Sequence, residues 1–198
     1  MEEKEINRLF PVFLKLEKLR LLIVGGGAVG LEKLNAVVTN SPGCQVKIVA
    51  TWFSEEVKRV AEMNKNIQCI EKAFEAGDLN QIDVVIVAVN ERDASEKIAR
   101  VVKENGKLVN VADKPDLCDF YLGGVVTKGN LKIAISTNGK SPTIAKRLKE
   151  FLNESLPDSV DDLLDNMQQI RDGLKGNLAE KINKLNEITK SMISKEKK

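Results

Sequence analysis

The stretch Leu21–Leu31, LLIVGGGAVGL, constrains the fold of this chain more than any other. Its first four residues are apolar and predict a buried strand. Three glycines follow in the order G-x-G-x-x-G, and apolar residues at helical spacing after them predict a helix. Alone the motif is weak, but a glycine-rich turn between a strand and a helix is typical of dinucleotide-binding α/β units.

Each glycine of the motif has its own expected role. Gly25 permits a tight turn after the strand, Gly27 leaves room for a pyrophosphate beside the backbone, and Gly30 lets the helix lie close to the sheet. The N–H groups that begin the helix would face the phosphates. A purely structural glycine turn is the alternative. The residues expected to contact the dinucleotide here are Gly25, Gly26, Gly27, Ala28, Val29 and Gly30.

Composition excludes several classes of protein. The chain has 198 residues with a formal net charge of +2, which argues against a nucleic-acid partner recognised through bulk charge. No apolar run is long enough to span a bilayer, so we expect no membrane partner. The three cysteines are widely spaced, which indicates reduced thiols and a cytoplasmic location. Histidine is absent, so proton transfer would need carboxylates, hydroxyls, lysines or water, and any metal ligands are unknown.

Strands and helices alternate up to residue 113, which predicts an α/β class with a Rossmann-type parallel sheet. The apolar stretch Leu9–Leu16 is expected to pack on the first strand. Beyond residue 113, Gly129-Asn130 between two short apolar runs predicts a β-hairpin. Ser141-Pro142 predicts the start of a helix, and further helical patterns follow. We therefore expect a Rossmann domain over 1–113, a hairpin and helix segment over 114–152, and a small helical domain over 153–198.

Three polar residues follow predicted strands, and strand ends of this kind line the ligand crevice in open α/β sheets. Thr51 stands where a carboxylate commonly binds the adenine ribose, so its hydroxyl or backbone groups would make that contact. No arginine adjoins this strand end, which favours NAD over NADP without deciding between them. Asn90 is a candidate cofactor contact or a helix cap, and Asp113 is a candidate acid or base or an ordinary turn residue.

A second candidate site precedes the helix that starts at Pro142. Its hydroxyls, backbone donors and nearby cationic side chains suit a carboxylate-bearing substrate, although a solvated and well-capped helix start is the alternative. The residues expected to contact substrate are Ser136, Thr137, Asn138, Lys140 and Ser141.

Four motifs, in order and with matching spacing, resemble one known family. They are Phe10-Pro11-Val12-Phe13, Val24-Gly25-Gly26-Gly27, Asn110-Val111-Ala112-Asp113 and Ile135-Ser136-Thr137-Asn138-Gly139-Lys140-Ser141-Pro142. Over about residues 8–152 the chain resembles precorrin-2 dehydrogenase, the dehydrogenase/ferrochelatase part of siroheme synthase. Asn138 replaces a frequent glycine of that family, and asparagine tolerates a positive φ better than most residues.

The resemblance implies NAD-dependent oxidation of precorrin-2 to sirohydrochlorin, with Asp113 as the catalytic carboxylate. It also implies a homodimer in which the hairpin and the following helix are exchanged or paired, so 114–152 is the expected dimerisation segment. Some members also insert iron. The siroheme and cobalamin pathways both remain open. Two other functions also remain open, namely an NAD(H)-sensing dimeric module and a Rossmann dehydrogenase of another anionic substrate.

Overall fold

A computed structural model describes residues 6–174 and 177–193. Its internal contacts divide the chain into two compact units, Met1–Leu122 and Gly123–Lys198. Residues 114–122, which the sequence assigned to the hairpin segment, therefore pack with the parallel sheet. No helix among the described residues is long and apolar enough to cross a membrane.

The first unit is a five-stranded parallel sheet with helices between its strands, which confirms the predicted α/β class. The strand order is β3-β2-β1-β4-β5. The chain therefore adds β2 and β3 on one side of β1 and then crosses over to add β4 and β5 on the other side. The strands are β1 (Arg20–Val24), β2 (Gln45–Ala50), β3 (Ile67–Glu71), β4 (Val84–Val87) and β5 (Leu108–Val111). The helices are α1 (Ala28–Asn40), α2 (Glu55–Met63) and α3 (Arg92–Glu104), with short 3-10 helices at Leu16–Lys18, Ala76–Leu79 and Pro115–Leu117.

Both faces of the sheet are buried because successive strand residues point to opposite sides. On β1, Leu21 and Ile23 pack into a cluster with α1 and α2, whereas Leu22 and Val24 pack into a second cluster with α3. The two clusters hold the central strands rigidly, and the carboxyl ends of those strands therefore form a fixed edge.

The expectation that Leu9–Leu16 packs on the first strand is wrong for most of that stretch. Phe10 is 86% exposed and Phe13 is 68% exposed, and only Leu16 packs against the core. Helices already cover both faces of the central strand, so the preceding residues find no free apolar surface on it.

One buried carboxylate ties the sheet to the loop before β4. Asp78 is 4% exposed and pairs with Lys47 at 2.9 Å and with Lys72 at 3.2 Å, and it accepts a hydrogen bond from the Glu75 N–H at 3.0 Å. Burial alone would raise the pKa of Asp78, but the Glu75 N–H and the two lysines hold this pKa below its ordinary value. The carboxylate therefore stabilises the fold in its charged form.

The second unit begins with the predicted hairpin, in which Gly129-Asn130 joins two antiparallel strands and Gly129 has a φ of +54°. Its strands are β6 (Gly124–Lys128) and β7 (Leu131–Ile135), and its helices are α4 (Pro142–Ser155), α5 (Val160–Gly173) and α6 (Leu178–Ile193). Among its described apolar residues, only Val126 is fully buried. Ile144, Leu148 and Phe151 on α4 are 44–61% exposed. The unit therefore leaves much apolar surface in water.

Candidate functional site

The glycine loop between β1 and α1 is packed tightly at three of its four glycines. Gly25 has a φ of +126°, and a Cβ there would overlap the backbone of Ala88. A Cβ on Gly30 would overlap the carbonyl oxygen of Gly25, so the helix approaches the loop as closely as predicted. A Cβ on Gly26 would overlap the Trp52 carbonyl oxygen. These three glycines are required by the protein's own packing.

Gly27 differs because its missing side chain leaves open space. The nearest atoms to a Cβ built there are two ring carbons of Trp52 at 3.5 Å, an ordinary contact distance. Gly27 is the N-cap of α1 and carries no side chain to bond the first helical N–H groups. Ala28 next to it is exposed and Val29 is half-buried. An uncapped helix start beside open backbone fits a pyrophosphate, because its free N–H groups and positive dipole end favour anions.

Parallel pairing brings the three other predicted residues of this unit to the same edge of the sheet. Thr51 directly follows β2, Asn90 follows β4 after two residues, and Asp113 follows β5 after one residue. All three side chains are exposed. The glycine loop and these polar residues therefore line the carboxyl edge, where ligands of open α/β sheets bind.

Asn90 is not the cap of the following helix. Glu91 is the N-cap residue of α3, and no side chain caps that helix. Asn90 is thus an exposed amide at the edge of the sheet, and its role in cofactor binding stays a prediction.

Asp113 occupies an unusual backbone conformation for a residue with a side chain. Its φ is +59°, a region in which aspartate and asparagine are enriched among non-glycine residues. The Lys114 N–H donates to the Val111 carbonyl at 3.3 Å and closes the turn around Asp113. Within the described part of the chain, no hydrogen bond or ion pair engages the Asp113 carboxylate. The turn therefore presents a free carboxylate at the edge.

The Cys118 thiol contacts the backbone on both sides of this turn. It accepts a hydrogen bond from the Val111 N–H at 3.1 Å and lies 3.3 Å from the carbonyl oxygens of Val111 and Lys114. Burial raises the pKa of Cys118, although the Val111 N–H acts in the opposite direction. The sulfur therefore stays protonated near neutral pH and can donate to one of these carbonyls. All three cysteines are free, as the sequence indicated.

A second contact joins the Asp113 turn to the loop that carries Asn90. Lys114 Nζ donates to the fully buried Ser95 Oγ at 2.9 Å. Ser95 Oγ in turn lies 2.9 Å from the Glu91 carbonyl oxygen and 3.1 Å from that of Val89. The two loops at the carboxyl ends of β4 and β5 are therefore fixed to each other.

The second predicted site belongs to the second unit and precedes α4. Ser141 Oγ accepts from the Ile144 N–H at 3.2 Å, which confirms it as the N-cap. Thr137 Oγ1 bonds both the N–H and the carbonyl of Ser141, and Ser136 Oγ accepts from the Asn138 N–H. Asn138 has a φ of +53°, the conformation that asparagine was expected to tolerate.

These hydrogen bonds give the segment a defined shape but also occupy its hydroxyls. Ser136 is exposed and its hydroxyl hydrogen can still reach a ligand, whereas the hydroxyl of Thr137 already donates within the turn. Lys140 is exposed beside them. Contacts of these residues with substrate remain a prediction.

No group of three His, Cys, Asp or Glu side chains that could hold a metal ion occurs among residues 6–174 and 177–193.

The residue that sequence reasoning missed is Trp52. Its ring lies against Gly27, and its side chain is largely exposed at the end of β2. The available signal was a tryptophan two residues after the strand whose end is associated with the adenine ribose.

Comparison with known proteins agrees with this geometry. Residues 12–124 match the family described as putative NAD(P)-binding, and residues 128–155 match the family described as sirohaem biosynthesis protein central. The chain is 32% identical over 165 residues to the siroheme synthase of Vesicomyosocius okutanii subsp. Calyptogena okutanii (strain HA), covering 83% of this chain and 35% of the relative.

Two further relatives agree with these matches. The siroheme synthase of Neisseria meningitidis serogroup C (strain 053442) is 30% identical over 85% of this chain and 35% of its own length. This chain therefore spans about a third of the siroheme synthases that it matches. The solved structure of SirC, a precorrin-2 dehydrogenase, aligns with a TM-score of 0.71 and 25% identity over 91% of this chain and 89% of SirC.

Proposed function

The chain belongs to the precorrin-2 dehydrogenase family, and from that membership we propose that it oxidises precorrin-2 to sirohydrochlorin with NAD in the cytoplasm. The similarity to SirC supports this activity because it covers nine-tenths of both chains. The observation that carries the proposal is the single open glycine position. Gly27 alone among the glycines of the loop leaves room at the start of α1, and it does so at the edge that presents the Asp113 carboxylate.

The glycine loop would hold the cofactor through its backbone. The N–H groups that begin α1 would bind the pyrophosphate beside Gly27, and Asn90 and Thr51 would contact the parts of the dinucleotide that extend along the sheet edge. When bound, NAD supplies the acceptor for the hydride that the substrate loses. Fixed loops around these contacts favour a defined position for the reacting carbon.

Asp113 would accept the proton. The oxidation breaks two bonds of the macrocycle. A C–H bond loses the hydride, and a second C–H or N–H bond loses the proton. With no histidine in the chain, a carboxylate is a suitable base, and this carboxylate is exposed and unpaired among the described residues. The Cys118 and Lys114 contacts hold its turn, so the base would not need to reorganise during the reaction.

The segment before α4 would bind substrate. Precorrin-2 carries many carboxylates, and the exposed Ser136 and Lys140 stand at a helix start that favours anions. Thr137, Asn138 and Ser141 would shape this segment through the hydrogen bonds that they make within it.

A homodimer would complete the enzyme. The apolar face of α4 and the hairpin bury little surface within their own unit, and a twofold symmetric pair is the commonest way to cover such a face. We propose that residues of the hairpin and α4 form this interface.

Anaerobic incubation of the chain with precorrin-2 and NAD tests the activity directly. We expect the absorbance of sirohydrochlorin and that of NADH to rise together in equal amounts. The same incubation with ferrous iron tests whether the chain also inserts iron into sirohydrochlorin. A folded protein that binds NAD but forms no sirohydrochlorin would contradict the proposal and would favour an NAD(H)-sensing module.

A further inference from the structure

The backbone at Trp52 is fixed against the glycine loop. The Ser54 N–H donates to the Gly26 carbonyl at 2.9 Å, and a Cβ on Gly26 would overlap the Trp52 carbonyl oxygen. On the far side, Phe53 is only 8% exposed and packs into the core with α1 and α2. The segment after β2 therefore has little freedom to move away from the loop.

The Trp52 side chain is nevertheless 59% exposed. Its Cζ2 and Cη2 atoms lie 3.5 Å from the position of a Cβ on Gly27, the one glycine of the β1–α1 loop with open space beside it. The fold thus places a large, flat, apolar ring in water at the border of the candidate pyrophosphate site. A ring held in this way is ready to cover a planar ligand group.

The position at the end of β2 identifies which group that is. In dinucleotide-binding sheets the adenosine half lies there, and a carboxylate commonly binds its ribose. This chain has Ala50, Thr51 and Trp52 at the strand end and no carboxylate. Adenine is a planar aromatic base, and bases stack on exposed indole rings.

We propose that Trp52 is the adenine platform of this protein, so that stacking on its ring binds the adenosine half where a ribose-binding carboxylate is missing. The inference rests on the cofactor site of the proposed function but not on the substrate. Loss of one base–aromatic stack typically lowers affinity by about 5- to 150-fold.

The chain contains a single tryptophan, so its fluorescence reports Trp52 alone. We would titrate the full chain with ADP, which carries the adenosine half, and with nicotinamide mononucleotide, which carries the other half. We expect ADP and NAD to quench the tryptophan emission and nicotinamide mononucleotide to leave it unchanged. Absence of quenching by ADP, or equal quenching by nicotinamide mononucleotide, would overturn the proposal.

Calorimetry on two variants separates stacking from structure. Trp52→Ala should lower the affinity for ADP and NAD by about 5- to 150-fold, and Trp52→Phe should restore part of it. Met63→Ala is the matched control, because Met63 is an 84% exposed apolar residue of the same unit. It should leave both affinities unchanged.

The outcomes also separate this proposal from the reaction. Parental affinity of Trp52→Ala for ADP would overturn it, as would an equal loss of affinity for ADP and nicotinamide mononucleotide. Quenching by ADP in a chain that does not oxidise precorrin-2 would support the platform and contradict only the proposed activity.

Discussion

Replacement of Gly27 by alanine adds one methyl group for which the protein by itself has room. The pyrophosphate of the proposed cofactor would occupy the same space. The new Cβ would lie 3.5 Å from Trp52, and the φ of −90° at this position suits any residue. Alanine is a poorer N-cap than glycine, but it stabilises by about 0.4–1 kcal/mol through the unfolded chain. These effects oppose each other, so we expect the melting temperature to change by no more than about 2 °C.

The affinity for NAD should respond quite differently. A methyl group at Gly27 would push the pyrophosphate away from the N–H groups that begin α1. Losing one hydrogen bond to a charged acceptor costs about 1.5–3 kcal/mol, so the affinity should fall roughly 10- to 150-fold. Calorimetric titration of the folded variant with NAD measures this loss.

Two other glycines provide controls. Nothing lies within 4 Å of a Cβ on Gly77, so Gly77→Ala should raise the melting temperature by up to about 4 °C through the unfolded chain and leave the affinity unchanged. Gly30→Ala would place a methyl group on the Gly25 carbonyl oxygen, and overpacking of this kind typically costs about 1–3 kcal/mol of stability. If Gly27→Ala is folded and binds NAD within about twofold of the parent, the cofactor does not approach Gly27 and the reasoning is refuted.

Three further predictions concern catalysis, pH and assembly. Asp113→Asn keeps a residue suited to positive φ but removes the base, so turnover should fall at least about 100-fold while the affinity for NAD is unchanged. The control Asp116→Asn should change neither quantity. Turnover of the Asp113→Asn variant within a few-fold of the parent would exclude Asp113 as the base. The lowered pKa of buried Asp78 means that its stabilisation is complete above its unfolded pKa of about 3.9 and is lost as pH falls through the lower folded value. Urea unfolding should therefore show a smaller loss of stability on acidification in Asp78→Asn than in the parent, and identical pH profiles would contradict this. Light scattering should show that the parent protein is a dimer. Phe151→Glu, at a 61% exposed position, should convert it to a monomer, whereas the control Lys149→Glu should not. A monomeric parent would exclude the proposed dimer.

Much of the fold followed from local patterns. The alternating strands and helices, the hairpin turn at Gly129-Asn130, and the N-cap at Ser141 were all predicted and are all present. Such features depend on residues only a few positions apart, through hydrogen-bond periodicity, turn geometry and capping. The N-terminal apolar stretch was misjudged because its environment depends on which surfaces distant helices had already covered.

The sequence by itself determined that a strand, a glycine turn and a helix would form, and that Thr51, Asn90 and Asp113 would follow strands. Only the tertiary structure decided which glycine stays open and which ring stands beside it. Gly26 and Gly27 are neighbours in sequence, yet the segment after β2 occupies the space beside Gly26, whereas Gly27 borders solvent and the Trp52 ring. The pairing of β1 with β2 sets that difference, because parallel register brings the ends of the two strands together. Contacts of this range leave no periodic signal in the chain, since they arise only when the whole sheet has assembled.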